Sequence, residues 1–454
     1  MPLPRRSSES TQRVPSAYES LGLKNLPFPR EPVANPYSDD PRLNGTIYAD
    51  SPVKAKIEQF EQLLILPDDF LNRANLAYLW AKGDQQSGRG MGKTALLRYF
   101  RQRINKDWGY TEFSGRFSAV VVYVSFPGQV DRRHMEQLAL SALVDICKSG
   151  VLDASRANLR LEAISQEKAD AILKSSIGRD EVEVLNDDDE LQTHGVDVEK
   201  LDESIARRLI KEGVEEQASI ALAKGNFEEY LKSFRKDGSL QPLYVPRDTK
   251  ILDYSRRLLF DDLVKYFRAA GFGGGYLFVD DIENLVDQMA RKQQIEFAKE
   301  FAICTVRPGY ANTAYKFFSS VLTTHQQASV KLAQAWADAG LAAIAQLSPT
   351  SPNSVELPLP SPDQAREIIV AHLDYYRTSE VDKGTIKPFT EDGLNALLKN
   401  RQLPRLFLAD AAKVIAYAIQ NGATAIDAAI VNAATEGSSS LPAIDFTEGI
   451  DDAL

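Results

Sequence analysis

The sequence predicts an α/β fold: a core of parallel strands, a helical insertion within it, and a small helical domain after it. Three observations predict this. Short apolar runs, such as Phe-Ser-Ala-Val-Val-Val-Tyr-Val-Ser-Phe at 117–126, have the unbroken character of strands buried on both faces. Helical periodicity separates these runs, as crossovers between parallel strands require. From Phe389 onward the pattern is helical throughout.

Composition sets the outer limits. The chain has 454 residues, 44% hydrophobic and 26% charged, which is the profile of an ordinary globular protein. A net charge of −10 argues against a surface coated with basic residues for nucleic acid, while leaving room for a local basic strip. No apolar run is long enough to span a bilayer, so no membrane partner is expected. Residues 1–16 carry Arg and Ser but no apolar core, unlike a secretory signal. A cytoplasmic location follows as the expectation. Cys147 and Cys304 lie in apolar helical patterns and are expected as buried thiols. The four histidines are too scattered for a metal cluster.

Residues 1–50 read as an extended arm, rich in Pro, Asn and Asp. Its Tyr18, Leu21, Leu23 and Phe28 would dock on a core or on a neighbouring subunit. Ser51-Pro52 reads as a helix start, followed by Ile57, Phe60, Leu63 and Leu64 on one face. Residues 76–81 read as a strand and 95–100 as an amphipathic helix. Between them runs Ser87-Gly88-Arg89-Gly90-Met91-Gly92-Lys93-Thr94-Ala95. Glycines let backbone N–H groups converge on a phosphate chain, and the following helix adds its positive end. Lys93 would reach the β- and γ-phosphates and the Thr94 hydroxyl would hold Mg²⁺. This is a P-loop pattern in which Ser87 replaces the first glycine.

The strand at 117–126 and a helix at 135–147 come next. Residues 151–240 are helical and charged, and read as an insertion. Their acidic run, Asp187-Asp188-Asp189-Glu190, reads as a solvated loop. A helix is expected over 251–270, then a glycine break at 271–275. Tyr276-Leu277-Phe278-Val279 forms a buried strand that ends in Asp280 and Asp281. Carboxylates at that end stand where ligands bind in open parallel sheets. Asp280 would hold Mg²⁺ through water, and Asp281 would polarise an attacking water. A charged helix spans 284–306. A strand at 315–324 would place Thr323 or Thr324 beside the γ-phosphate, with Thr324 assigned the catalytic role. A fourth run at 354–359 precedes a capped helix that begins at Ser361-Pro362. Helices at 390–398, 405–421 and 426–434 complete the C-terminal domain, where Arg405 would reach back to the phosphates. The expected division is arm 1–50, P-loop core 51–360, helical lid 361–436 and loose tail 437–454.

The run Ser87 to Thr94, the pair Asp280-Asp281, Thr323/Thr324 and Pro404-Arg405 resemble Walker A, Walker B, sensor 1 and sensor 2 of AAA+ ATPases. The nearest branches are the origin-recognition and signal-transducing ones. The segment Asp-Asp-Ile-Glu-Asn-Leu is similar to that of ATP-binding proteins encoded in bacterial phage-defence islands. The resemblance covers about residues 51–434. It implies an ATP hydrolase with Mg²⁺, driving or switching assembly on DNA or a DNA-associated partner, with a role in antiviral defence. The alternative is a nucleotide-dependent scaffold or signalling switch with slow hydrolysis. It also implies self-association, with an arginine supplied by the next subunit; Arg307 is the candidate. No helix-turn-helix pattern follows the lid, so protein partners are expected to mediate any contact with DNA.

Overall fold

The computed structural model describes residues 17–30, 38, 40–65, 74–81, 90–125, 134–227, 258–282, 289–306, 317–399 and 403–436. They form two compact units. One lies within Ala34–Pro358; the other joins residues within Gln12–Val33 to residues within Leu359–Leu454.

The first unit holds a five-stranded sheet. Its strands are β1 (Leu76–Ala81), β2 (Ser118–Ser125), β3 (Phe272–Asp280), β4 (Phe318–Thr324) and β5 (Ser354–Leu357). All pairings are parallel, and the order is β2-β3-β4-β1-β5. The helix before the glycines ends at Ala269, as expected, and Gly271 is left-handed; the glycines at 273–275 then belong to β3. A Cβ on Gly275 would come within 2.9 Å of the Phe318 ring and 3.0 Å of the Val120 carbonyl. Glycine there admits close packing between neighbouring strands.

The step from β1 to β2 runs one way across the sheet, and the later steps run back. Right-handed crossovers then place the first connecting helix on one face and the later ones on the other. On the first face, α1 (Lys54–Leu64) and α2 (Lys93–Asn105) bury Phe60, Leu96, Leu97 and Phe100 against Leu79, Val121, Phe278 and Val321. On the second, α3 (His134–Ser149) and the insertion pack on Tyr78, Val122, Leu277 and Leu322. Residues 40–47 close against α2. Gly45 has φ +94°, and a Cβ there would sit 2.3 Å from the Arg98 backbone.

β2 is an edge strand, and its outer backbone groups are answered by side chains and a loop. Asn105 Nδ2 donates to the Val121 carbonyl (2.9 Å), and Asn105 Oδ1 accepts from the Val121 N–H (2.8 Å). The Ala119 N–H donates to the Trp108 carbonyl and the Tyr123 N–H to Asp145 of α3.

The insertion is helical as expected, with α4 (Val151–Ala163), α5 (Gln166–Ser175), α6 (Glu181–Asn186), α7 (Asp188–Thr193), α8 (Val198–Lys211) and α9 (Glu216–Lys224). The acidic run is not a solvated loop. Asp187 caps α7 by accepting the N–H groups of Asp189 and Glu190, and Asp188 opens that helix. Negative charge at a helix N-terminus is favourable. Arg179 pairs with Asp187 and Glu190. Arg160, wholly buried, donates to Asp188 (2.8 Å) and Asp202 (2.9 Å).

Of the helix expected over 251–270, the described part is a π-helical turn, Leu258–Asp262, and an α-helix, Leu263–Ala269. Cys304 is buried, but Cys147 on α3 is exposed, contrary to expectation. Its neighbours Leu143 and Ile146 take the buried positions of that helix.

In the second unit, Leu21, Leu23, Leu26 and Phe28 pack among the C-terminal helices, with Ile369, Leu373 and Phe407. His372 Nδ1 lies 3.0 Å from the Pro27 carbonyl. The helix Pro362–Tyr375 begins with a capping box, as Ser361 predicts: the Gln364 N–H donates to Ser361 Oγ, and the Ser361 N–H to Gln364 Oε1.

Candidate functional site

Parallel strands present their C-terminal ends at one edge of the sheet, and the chain places its polar residues there. At the start of α2, Gly90 and Gly92 are both left-handed, at φ +84° and +95°. Nothing lies within 4 Å of a Cβ on Gly92, so the backbone angle, not space, requires glycine there. Left-handed residues before a helix gather N–H groups into an anion-binding concavity. Lys93 is the first residue of α2 and only 6% exposed. A cation is disfavoured at the positive end of a helix. A buried lysine there adds to the helix potential instead of offsetting it, and the sum suits an anion with several charges. Met91 is buried, Thr94 half-buried and Ala95 exposed.

Asp280 ends β3 and is wholly buried. Its carboxylate accepts the Tyr123 hydroxyl (2.5 Å), the Thr323 hydroxyl (2.7 Å) and the Asp281 N–H (3.1 Å). These partners come from β2, from β4 and from the residue that follows β3. The register pairs Ser125 with Asp280 and Leu79 with Thr323, so β4 carries the Thr323 hydroxyl between β3 and β1. By the two-residue period of strands, Tyr123, Asp280 and Thr323 share a face with Val121, Phe278 and Val321. That is the face covered by α2. Burial, and then the Asp280 charge, push the Tyr123 hydroxyl well above its usual range, so it stays protonated and donates.

Asp281 leaves the strand at φ +56°, a left-handed conformation strained for a residue with a side chain. Its N–H donates to Thr323 Oγ1 (2.9 Å), and its carboxylate accepts Ser125 Oγ (3.3 Å). Thr323 thus touches both carboxylate residues: it donates to one and accepts from the backbone of the other. Local strain held by three strands fixes where the Asp281 carboxylate emerges.

The structure brings Asp280, Asp281 and Thr323 together. Thr324 shares the opposite face with Leu322, and its hydroxyl donates to the His325 carbonyl at 3.5 Å. Ser87, Gly88, Arg89 and Arg307 lie outside the described residues. Arg405 is exposed in the first turn of Pro404–Gln420, in the second unit. Sequence reasoning passes over Tyr123 and Ser125. Their signal is present, since polar tips recur every second residue toward the end of an otherwise valine strand.

The donor set fits a magnesium ion that is held largely by phosphates. Such an ion keeps several waters and asks one or two carboxylates of the protein. Among the described residues, the groups that donate to the Asp280 carboxylate are neutral, and one oxygen accepts from Tyr123 alone. Among the described residues, no helix is long and apolar enough to cross a membrane. No protein-family model matches the chain, and no curated protein matches it.

Proposed function

We propose that this chain binds ATP with Mg²⁺ at the C-terminal edge of β1, β3 and β4 and hydrolyses it to ADP and phosphate. One observation carries the reading: the sheet order sets the Asp280–Asp281–Thr323 cluster beside the strand that leads to the left-handed glycines and the buried Lys93 of α2. A positive pole and a carboxylate pair then share one edge, as phosphoryl transfer needs.

Lys93 and the first N–H groups of α2 would neutralise the β- and γ-phosphates. Thr94 and Asp280 would hold the metal, Asp280 through water. Mg²⁺ held there would supply positive charge to the phosphates during transfer. Asp281 would orient the attacking water, and Thr323 would fix both carboxylates. The proposal takes Thr323 in place of Thr324 for the strand-end hydroxyl. A P-loop core with a C-terminal helical lid carrying Arg405, self-association, and a protein partner on DNA belong to the same reading.

Lys93→Ala should weaken ATP binding about a hundredfold in the folded protein, as expected for loss of a charged partner. Unchanged affinity would remove the nucleotide reading. Turnover measured with and without DNA then separates the two roles. Stimulation by DNA marks a motor or loader; flat, slow turnover with ATP-dependent assembly marks a switch.

A further inference from the structure

We propose that Tyr123 is a positioning residue of this site: its hydroxyl orients the Asp280 carboxylate for metal binding, while α2 holds Tyr123 in place. The inference rests on the nucleotide reading above and adds a residue to it.

The geometry carries the argument. The Tyr123 hydroxyl donates to Asp280 at 2.5 Å, from a side chain only 1% exposed. Its ring lies under the Arg98 guanidinium, 5.4 Å from the ring centroid. Its backbone N–H donates to Asp145 Oδ2 (2.8 Å), and Asp145 Oδ1 accepts from Arg101 (2.7 Å). Arg98 and Arg101 are three residues apart and so lie on one side of α2. Lys93 is five residues before Arg98 on the same helix, about 7.5 Å of helical rise. The helix proposed to hold the phosphates therefore holds the Tyr123 ring directly and its backbone through Asp145 of α3, and Tyr123 grips the carboxylate proposed to hold the metal. Thr323 holds Asp280 at its other oxygen. A carboxylate fixed at both oxygens presents its remaining lone pairs in one direction, which suits accepting from a water that the metal would hold in a fixed position.

The experiment is a magnesium titration of nucleotide binding, read by a fluorescent ATP analogue on the full chain, with EDTA as the metal-free reference. In Tyr123→Phe, the Mg²⁺ concentration for half-maximal enhancement should rise about tenfold, the range for losing a hydrogen bond that orients a metal-holding carboxylate. Metal-free affinity should stay within about twofold, since Lys93 and α2 are intact. An unchanged midpoint in a variant that binds nucleotide would overturn the role of Tyr123 and leave the nucleotide reading standing. Wild-type protein that binds no nucleotide would overturn both. Should Tyr123→Phe not fold, the comparison moves to Asp280→Asn with and without Tyr123→Phe, where no buried charge depends on the hydroxyl. Equal midpoints in those two variants support the proposal. A further fivefold rise in the pair would overturn it, because Tyr123 would then act elsewhere.

Discussion

In the insertion, the carboxylates of Asp187, Asp188 and Glu190 are each met by a guanidinium, from Arg179 or Arg160. At the end of β3, Asp280 is met by the hydroxyls of Tyr123 and Thr323. Both runs are acidic, and both lie where local backbone N–H groups help to receive them. A guanidinium orients a carboxylate and cancels its charge. A hydroxyl orients it and leaves the charge in place. The first arrangement ties helices together. The second keeps a negative group buried at some cost in stability, and the charge stays available to a cation.

Four measurements break or sharpen this contrast. The largest effect is expected in the insertion. Asp202→Ala removes a partner of the buried Arg160 and leaves a guanidinium with no exposure short of charge, so stability in urea unfolding should fall by about 4 kcal/mol. ATP affinity measured on the folded variant should not move. A loss of binding without a loss of stability would erase the division between the two regions.

Asp145 tests whether one arginine suffices in a buried setting. Burial pushes its carboxyl up to about 6, against the pull of Arg101 and the Tyr123 N–H. A raised carboxyl pKa means that the folded state holds the proton more tightly than the unfolded chain. Stability from this group should therefore fall as pH rises from about 4 to about 6, by about 3 kcal/mol. The wild-type stability relative to Asp145→Asn should drop across that window. A flat difference would show that Arg101 compensates the burial.

Asp281→Asn addresses the strand end. Hydrolysis should slow about a hundredfold, with ATP affinity within about threefold, the pattern of a lost general base. Wild-type turnover would assign the water to another group. The smallest effect belongs to Asp188→Asn, whose carboxylate pairs with Arg156 and Arg160. Turnover there should stay within about twofold of wild type; a large loss would place the insertion's acidic run in the chemistry.

Much of this was legible beforehand because its causes are local. The valine run of β2, the apolar face of α2, the cap at Ser361 and the Gly92-Lys93 junction each follow from residues close in sequence. The acidic pair at the end of β3 was legible for the same reason. The choice between Thr323 and Thr324 was not, because it turns on which face of β4 meets α2, and strand order decides that. Tyr123 was hidden likewise: 157 residues separate it from Asp280. The reach of β3 back through the glycines at 273–275 was not legible, because a glycine run carries no strand signal until a neighbour's ring, here that of Phe318, fills the space. The run at 187–190 misled because its arginine partners lie in other turns and helices.

The clamp of Asn105, Trp108 and Asp145 along β2 bears on how the molecule meets other chains. An edge strand with open N–H groups is a template, and peptides or misfolded copies extend a sheet there. Here Ala119, Val121 and Tyr123 already have their outward hydrogens engaged from within the same unit. An incoming strand would have to displace two buried or half-buried side chains and a turn before making its first bond. Recruitment along this side is thus closed to β-augmentation, and a partner that comes here must recognise side chains and helices instead of backbone.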